Sequence, residues 1–553
     1  MDFAAVAVTL SKLEATPSRL ELTEIVAQLF QSSGSDLGTV ALFVQGRVFP
    51  PWDSREIGIA QKSMIKCVST ATGATAKQVE DKIAKLGDTG LAAENLFHKK
   101  PQTTLSKKKM SLKEIHALLE KMASWEGKGT QEKKNRHVVE LLNSMSPTGV
   151  KYLVRLLLGE MRVGVGEGII RDAIAKAFDV SPAETERAFS LINDYSEVAQ
   201  LARDKGDAGL KKIRIRLFRP LRPMLAQTVH SVQEALDNEC HAFEYKYDGM
   251  RMQAHIKNGE VRVFTRRLDD VTTQFPDVVE AIKKSVSAKE AIIEGETVAV
   301  DENERPKPFQ LLSRRIKRKY GIDEMVKQIP VVTYLFDCMY LDGKNLLPKN
   351  MGERRKALEK IVKPSSEVKF SKTVTTTDPK AAEAFYKESL KLGHEGVMAK
   401  NLGVGYKPGS RVGYMYKLKP VTETLDLVLV AAEWGEGRRA SWLGSYLLAC
   451  RDPDTNEFLS IGRMATGMKD EQLQYLTDAL KPTIEFEKGK FVKLKPTIVV
   501  EAGYQEIQKS PTYESGYALR FPRLVRIRED RAPEECDSLD RVAALHERFT
   551  AKK

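Results

Sequence analysis

The chain has 553 residues, which is too long for one hydrophobic core and predicts about three or four domains. Its 42% hydrophobic and 29% charged residues are ordinary for a globular protein, and no apolar stretch approaches the length of a membrane span. The net charge of +13 favours a polyanionic partner such as nucleic acid, although basic proteins without such a partner are common.

The cysteines predict a reducing compartment. They lie far apart and form no C-x-x-C pair, which argues against a zinc ribbon and against a disulfide framework. The N-terminus is apolar but short, and it opens with an acid rather than with the basic region of a signal peptide. We therefore expect a cytoplasmic, nucleoid-associated protein without membrane contact.

The first third of the chain predicts an all-helical domain. From Phe3 to about Leu217 the apolar residues recur at helical spacing, with few alternating runs. A basic stretch at 98–109 predicts a solvated loop, with DNA contact as the alternative. Within it, 102–105 resembles a clamp-binding peptide that lacks the aromatic pair, which makes a sliding clamp a candidate partner.

Three alternating glycines, Gly164, Gly166 and Gly168, open a run in which Ile170 and Ile174 share one helical face. Backbone amides at such a helix N-terminus could bind a DNA phosphate. The alternative is a tight helix–helix connection that needs glycine. A Rossmann turn is a poor interpretation because a predicted helix, rather than a buried strand, precedes the glycines.

Beyond Pro223 the pattern changes to short strands, which predicts a mixed α/β domain. Asn258-Gly259 between two of the strands predicts a β-hairpin. The predicted strands are 242–246, 252–256, 261–265, 291–296 and 331–339, followed by a helix at 353–361.

The segment 244–251 places Lys246 between two tyrosines, before Asp248-Gly249 and Arg251. A lysine amine is a nucleophile only when unprotonated, and a lysine with an ordinary pKa of about 10.4 is almost wholly protonated at neutral pH. A nucleophilic role therefore needs low solvation or nearby cations, such as Arg251 or a divalent metal, which disfavour the ammonium form. The alternative is an exposed hairpin with Asp248-Gly249 as its turn.

More charged residues follow than a plain sheet would place on strands. Glu296 and Glu395 form a carboxylate pair that suits Mg²⁺ bound beside a triphosphate, although either could be an ordinary strand-end acid. Several basic residues could hold phosphates, with arginine suited to bidentate contact, or each could be solvated. They are Arg266, Arg314, Arg315, Arg411, Lys417 and Lys419.

The order of these segments resembles the collinear motifs of ATP-dependent DNA ligases of the archaeal type, which are similar to the eukaryotic replicative ligases. Segment 164–178 is similar to part of the helical DNA-binding domain of that family, and 520–530 resembles its last motif. The six central motifs are Glu244 to Arg251, Phe264-Thr-Arg-Arg, Ile293-Glu-Gly-Glu296, Pro308 to Arg315, Glu395 to Lys400, and Tyr406 to Lys419.

The resemblance implies ATP as co-substrate, Mg²⁺ or alternatively Mn²⁺ as metal, and covalent adenylation of Lys246. It implies that Glu244 contacts the adenine, that Phe336 stacks on it, and that Glu296 and Glu395 serve the metal. The implied contacts to ribose and phosphate are Arg251, Arg266, Arg411, Lys417 and Lys419. The implied DNA contacts are Gly164, Gly166, Gly168, Arg520 and Arg523. One departure is that family members carry Ser and Trp where this chain has Val412 and Met415.

The last quarter of the chain predicts a C-terminal OB fold, a five-stranded β-barrel with one helix. We expect three domains: a helical DNA-binding domain at 1–217, a mixed α/β adenylation domain of the nucleotidyltransferase, ATP-grasp-like kind at 218–420, and the OB-fold domain at 421–553. The predicted strands are 425–431, 445–451, 458–464 and 497–502, with a helix at 471–480.

The predicted function is the sealing of nicks in duplex DNA during replication, repair and recombination, by a monomer whose domains encircle the duplex. An RNA ligase or an mRNA-capping guanylyltransferase is the nearest rival, and the long helical domain argues against both. A basic, non-catalytic OB-fold protein is a rival of another class, and it would need none of Lys246, Glu296 and Glu395.

Overall fold

The computed structural model describes residues 1–99, 110–127, 129–316, 318, 320–420, 424–435, 439 and 441–551, without the side chains of 310 and 548–551. The clamp-like segment 102–105 and most of the basic stretch lie outside the described residues. Among the described residues, no helix is both long enough and apolar enough to cross a membrane.

The N-terminal third is helical, as predicted, and its helices pack around one large core. In order they are α1 (Phe3–Ala15), α2 (Arg19–Ser32), α3 (Leu37–Val44), α4 (Gln61–Thr72), α5 (Ala76–Leu86), α6 (Thr89–His98), α7 (Leu112–Ala123), α8 (Thr130–Ser144), α9 (Pro147–Leu158), α10 (Glu167–Phe178), α11 (Pro182–Ile192) and α12 (Tyr195–Lys211).

Helix α7 shows how the local sequence produces these elements. Ser111 and Glu114 form a capping box, in which each side chain accepts a hydrogen bond from the other residue's backbone N–H. Ile115, Leu119 and Met122 repeat at helical spacing and are completely buried. The helix therefore begins at its cap and is stabilised by the core on one face.

The central region contains two sheets flanked by helices. The helices are α13 (Val232–Asp237), α14 (Pro276–Ser285), α15 (Phe309–Ile316), α16 (Ile322–Gln328), α17 (Met351–Ile361) and α18 (Pro379–Lys391). The strands are β1 (Leu225–Val229), β2 (Ala242–Tyr245), β3 (Met250–Lys257), β4 (Glu260–Thr265), β5 (Glu290–Ala299), β6 (Val331–Leu341), β7 (Lys344–Asn345), β8 (Val368–Phe370), β9 (Thr373–Thr375), β10 (Val397–Lys400) and β11 (Arg411–Leu418).

One sheet has the strand order β1-β11-β10-β2-β9, and the other has the order β4-β3-β5-β6-β7 with β8 paired to β6. The predicted hairpin joins β3 to β4, with Lys257 opposite Glu260. Its two loop residues, Asn258 and Gly259, have φ values of 49° and 85°, as a tight two-residue turn between twisted strands requires. The hairpin prediction is confirmed.

The C-terminal region is β-rich, as predicted, but the prediction of five strands was wrong. It contains β12 (Thr424–Trp434), β13 (Leu443–Arg451), β14 (Phe458–Met464), α19 (Asp470–Leu480), β15 (Ile484–Lys488), β16 (Phe491–Leu494), β17 (Val499–Gly503), β18 (Glu506–Lys509), β19 (Tyr517–Arg520), β20 (Arg523–Ile527) and α20 (Leu539–Ala551). Strands β14-β13-β12-β16-β15 form one sheet, β17 joins β12 to β20, and β18 pairs with β19. Strand β20 returns to the end of β14, where Arg523 forms an isolated bridge with Thr466 and the Leu524 N–H donates to the Thr466 carbonyl (3.1 Å). Short strands such as β15 and β18 carry too few alternating residues to be recognised from sequence.

The connection between the helical and central regions is bound to β3 by three side chains. These side chains alternate along the strand and therefore lie on one face of it. Each bonds to the backbone of the connection: Arg251 donates to the Met224 carbonyl (2.9 Å), Gln253 accepts from the Leu221 N–H (2.7 Å), and His255 Nδ1 accepts from the Phe218 N–H (2.9 Å).

His255 makes the stability of this junction depend on pH. Burial lowers the pKa of His255 to about 3, and the positive charge of Arg262 adds to the decrease. The folded protein therefore holds a neutral ring, whose Nδ1 accepts from the Phe218 N–H. The unfolded chain takes up a proton below about pH 6.5. The stability that His255 contributes is therefore present above that pH and is lost as the pH falls toward 3.

We expect His255→Gln to flatten the pH dependence of the free energy of unfolding. The wild type should lose about 2 kcal/mol more than the variant between pH 7 and pH 5, because only the wild type gains a proton at this position on unfolding. Urea denaturation at both pH values measures the difference. Equal pH slopes in the two proteins would contradict the assignment.

Candidate active site

Lys246 lies where the chain crosses from one central sheet to the other. Strand β2 ends at Tyr245 in the five-stranded sheet, and β3 begins at Met250 in the six-stranded sheet. The exposed-hairpin interpretation of this segment is therefore wrong. Gly249 allows the crossing because a Cβ at this position would lie 2.4 Å from the Thr297 carbonyl oxygen.

Backbone hydrogen bonds hold Lys246 against both Gly396 and Glu395. The Lys246 N–H donates to the Gly396 carbonyl (2.9 Å), and the Glu395 N–H donates to the Lys246 carbonyl (2.8 Å). These bonds continue the antiparallel pairing of β2 with β10. The Lys246 ammonium also donates to Glu395 Oε2, which lies 2.8 Å from Lys419 Nζ.

These charges perturb one another strongly. Burial alone would raise the pKa of Glu395, but the ammonium groups of Lys246 and Lys419 hold it at about 2. Burial, together with the charge of Lys246, lowers the pKa of Lys419. Burial and the charge of Lys419 lower the pKa of Lys417 in the same way. The cluster therefore contains a firmly ionised carboxylate among cations that are crowded together.

Two further carboxyl groups lie beside this cluster. Burial raises the pKa of Glu296 to about 8, and the charges of Glu395 and Asp248 add to the increase. Burial and the charge of Glu395 raise the pKa of Asp248 to about 6. Asp248, expected to serve mainly as part of a turn, thus belongs to the charged centre of the site.

These carboxyl groups fit a divalent cation, because a bound cation would relieve both their repulsion and their cost of burial. Within the described part of the chain, no three His, Cys, Asp or Glu side chains form a group that could hold a metal ion. One or two carboxylates suffice for Mg²⁺ when substrate phosphates complete its shell.

Glu244 lies deeper in the site, on β2. It accepts hydrogen bonds from Lys400 Nζ (2.6 Å) and from Ser371 Oγ (2.7 Å). Lys400 Nζ is 4.8 Å from the centre of the Phe336 ring, and the Arg251 guanidinium is 5.6 Å from it. Lys400 thus lies near both the buried acceptor, Glu244, and the aromatic ring of Phe336. A hydrogen-bond acceptor and an aromatic ring are the groups that a site for a heteroaromatic base requires.

Arg251 is held by the buried carboxylate of Glu294, whose Oε2 lies 2.7 Å away. The Tyr406 hydroxyl donates to the same oxygen (3.1 Å), and the Met224 N–H donates to that hydroxyl (3.0 Å). The Arg251 Nε is buried and has no hydrogen-bond partner. The Nε–H is therefore a donor that a ligand could satisfy.

The phosphate-binding candidates from β11 line the opposite side. Arg411 donates to the Ala226 carbonyl (3.1 Å), and Lys417 follows on the same strand. Val412 and Met415, where family members carry Ser and Trp, are both buried and serve packing.

All residues that the family resemblance assigns to nucleotide and metal line one cavity of about 680 Å³. That volume is in the range of small-molecule sites. The lining residues include Glu244, Lys246, Arg251, Arg266, Glu296, Phe336, Glu395, Arg411, Lys417 and Lys419. The other two candidates for phosphate contact, Arg314 and Arg315, do not line this cavity, and Arg315 is buried and paired with Asp277.

The residues predicted to contact DNA do not lie together. Arg520 also lines the cavity, 3.3 Å from Glu506 and 5.7 Å from the Phe309 ring, which differs from the expected phosphate-facing surface. Arg523 is exposed outside the cavity. The glycines Gly164, Gly166 and Gly168 lie at the start of α10, and Gly166 is its N-cap without a side-chain cap.

Three comparisons with known proteins agree with this geometry. Residues 2–175 match the family described as "DNA ligase N terminus", 223–419 match "ATP dependent DNA ligase domain", and 439–531 match "ATP dependent DNA ligase C terminal region". The chain is 44% identical over 548 residues to the DNA ligase of Thermococcus onnurineus, with 98% of each chain covered. This chain belongs to the ATP-dependent DNA ligase family.

A second relative, the DNA ligase of Archaeoglobus fulgidus, is 42% identical to this ligase over 558 residues, with both chains fully covered. A solved structure named "Pmar-Lig_PreS3" aligns with 95% of this ligase and 99% of its own chain, at a TM-score of 0.56 and 18% identity, which shows a shared fold. The rival interpretations as a capping enzyme, an RNA ligase or a non-catalytic binder are thereby set aside.

The sequence reasoning missed four residues of the ligase site. Asp248, Lys400, Ser371 and Gln505 all contact or influence predicted site residues. Lys400 ends a recognised motif at the spacing that puts it next to Glu244 across the sheet, so that its position could have been predicted. Gln505 could not, because it reaches the site from the C-terminal region.

We expect Gly396→Ala to disrupt the pairing of Lys246 with Glu395. Gly396 has a φ of 129°, and a Cβ there would lie 2.1 Å from the Leu418 carbonyl oxygen. The free energy of unfolding should fall by about 3 kcal/mol or more, because strain and a backbone clash combine. Urea denaturation of the variant measures the loss.

Gly343→Ala is the matched control, since Gly343 has a φ of 82° but open space around its Cβ position. It should cost only the strain of a left-handed alanine, about 1 kcal/mol. Equal losses in the two variants would show that the contact with Leu418 does not constrain the site.

Proposed function

We propose that this ligase seals nicks in duplex DNA through a lysyl-AMP formed on Lys246. The observation that carries the proposal is the position of Lys246, at the junction of two sheets, inside a cavity that also holds Glu244 and a group of cations. The amine thus lies between a base-sized pocket and side chains suited to a triphosphate.

In the first step Lys246 gives its ammonium proton to solvent, its Nζ lone pair attacks the α-phosphorus of ATP, the bond to the bridging oxygen breaks, and pyrophosphate leaves with that electron pair. The nitrogen loses a second proton to solvent as the phosphoramide forms. An oxygen of the nick 5′-phosphate then attacks the AMP phosphorus, the P–N bond breaks, and the lysine amine takes up a proton again. Finally the 3′-hydroxyl attacks the 5′-phosphorus, its proton goes to solvent, and AMP leaves. Arg411, Lys417 and Lys419 would stabilise the phosphates by charge, which is the main source of rate in such transfers.

We assign Glu296 and Glu395, with Asp248 beside them, as the groups that would hold Mg²⁺ or Mn²⁺, which supplies positive charge to the phosphates. The raised pKa of Glu296 and of Asp248 supports this assignment, because both carboxyl groups are buried beside other negative charge. The ammonium groups of Lys246 and Lys419 lower the pKa of Glu395 and so keep this carboxylate ionised.

We expect Lys246→Ala to abolish formation of the protein–AMP adduct, because the nucleophile is lost and the neighbouring Lys417 and Lys419 are assigned to phosphate oxygens. Incubation with Mg²⁺ and α-labelled ATP, followed by denaturing electrophoresis, measures the adduct. Lys360→Ala is the control, since Lys360 is exposed on α17, and it should label as the wild type does. A labelled band on the Lys246→Ala protein would refute the nucleophile assignment.

Glu244 is proposed to select adenine. The 6-amino group of adenine is a hydrogen-bond donor and the 6-oxo group of guanine is an acceptor, so an ionised carboxylate accepts from the first and repels the second. The bonds from Lys400 and Ser371 hold the carboxylate in place for that contact.

We expect Glu244→Gln to reduce the preference for ATP over GTP by about tenfold or more, because the amide can donate to the 6-oxo group. The ratio of kcat/KM for adduct formation with the two nucleotides measures the preference. Ser371→Ala, which removes one hydrogen bond to Glu244 and keeps the carboxylate, should lower both values together. An unchanged ratio in Glu244→Gln would mean that another group reads the base.

The remaining assignments are proposals of the same kind. Gly164, Gly166, Gly168 and Arg523 are proposed to contact DNA phosphates, supported by the uncapped N-terminus of α10 and the exposure of Arg523. Arg520 is proposed to act in the cavity instead. The domain boundaries at 217 and 420, a sliding-clamp partner, the monomeric state and an intracellular location stay predictions.

A further inference from the structure

The C-terminal region reaches the Lys246 cluster through Gln505. The Gln505 side-chain amide donates to Glu395 Oε1 (2.8 Å), and its backbone N–H donates to the Arg520 carbonyl (2.8 Å). The second bond continues the pairing of β18 with β19, which holds Gln505 at the end of that strand pair. Gln505 lies in the short connection that precedes β18, and this bond anchors it to the strand pair.

Gln505 completes the hydrogen bonding of the Glu395 carboxylate. Glu395 Oε2 faces Lys246 and Lys419, whereas Oε1 faces Gln505. A carboxylate that is bonded on both oxygens cannot rotate without breaking a bond. The amide therefore fixes the orientation of the Glu395 carboxylate relative to the amines.

The chemical type of residue 505 suits this role. An amide donates a hydrogen bond without adding charge, so it leaves the negative charge of Glu395 to Lys246 and Lys419. A lysine here would compete with Lys246 for the carboxylate, and a glutamate would repel it.

We infer that Gln505 is a positioning residue for the attack of Lys246 on ATP: it orients Glu395, which in turn places the Lys246 amine. The inference rests on the proposed function and extends it to the C-terminal region. Gln505 makes and breaks no bond in the transfer, and its effect is expected to be largest on the step in which Lys246 is the nucleophile.

The test compares Gln505→Leu and Gln505→Glu with the wild type in two assays. The first measures the rate of protein–AMP formation against ATP concentration by quenched flow. The second measures the sealing of a nicked duplex that already carries AMP on its 5′-phosphate, without ATP. Gln474→Leu is the matched control, because Gln474 is an exposed glutamine of α19 that bonds to Asp478.

Both Gln505 variants should lower the maximal rate of protein–AMP formation by about tenfold, because a hydrogen bond to a charged group is lost. The ATP concentration at half-maximal rate should change less than about twofold, since Gln505 is assigned no contact with the nucleotide. Sealing of the pre-adenylylated nick should fall much less than protein–AMP formation, because that step needs no attack by Lys246 and depends on Glu395 only through the metal. The control should match the wild type in both assays.

Three results would overturn the inference. Wild-type adduct formation in Gln505→Leu would show that the bond to Glu395 is dispensable. Wild-type rates in the isosteric Gln505→Glu would show that only the volume of the side chain matters. Equal losses in both assays would indicate a general structural role. A labelled Lys246→Ala protein would instead refute the proposed function, so the two failures are distinguishable.

Discussion

The site depends on the backbone pairing of Lys246 with residues 395 and 396. Residues paired across two antiparallel strands are close enough to interact, and the backbone bonds of Lys246 to Gly396 and Glu395 bring its ammonium group to the Glu395 carboxylate. A shift of one residue would change which side chain meets Lys246. Gly396 makes the register achievable because its backbone passes against the Leu418 carbonyl, where no side chain fits. The charge cluster follows from this one geometric constraint.

A second constraint links the site to the helical domain. Arg251 faces the cavity, yet the same guanidinium bonds to the Met224 carbonyl in the connection between domains. Gln253 and His255 extend that contact along β3. A movement of the connection would therefore displace a side chain proposed to hold the nucleotide. The same guanidinium therefore contacts both the connection and the cavity. A change in the arrangement of the domains could alter the cavity directly, without a chain of intervening residues.

The elements that could be predicted from the sequence are those with strong local signals. The hairpin at Asn258-Gly259 follows from two residues that tolerate positive φ, and α7 follows from its cap and its apolar spacing. The residues lining the cavity were predicted from the order of the motifs, which indicates the chemical roles of the residues but not their positions relative to one another. Asp248 was misjudged because burial and the neighbouring Glu395, which no local pattern reveals, decide its role. Gln505 was missed because its partner lies 110 residues away in the chain.

The cavity combines two sets of charged groups, ammonium groups and carboxyl groups. Lys417 and Lys419 suit phosphate oxygens, whereas Asp248 and Glu296 suit a divalent cation. Glu395 joins the sets, since it is paired with ammonium groups and also raises the pKa of Glu296 and Asp248. A phosphate that draws Lys419 away from Glu395 would make this carboxylate more available to a cation. Phosphate and metal binding would then favour each other, because each removes the counter-charge that the other must displace.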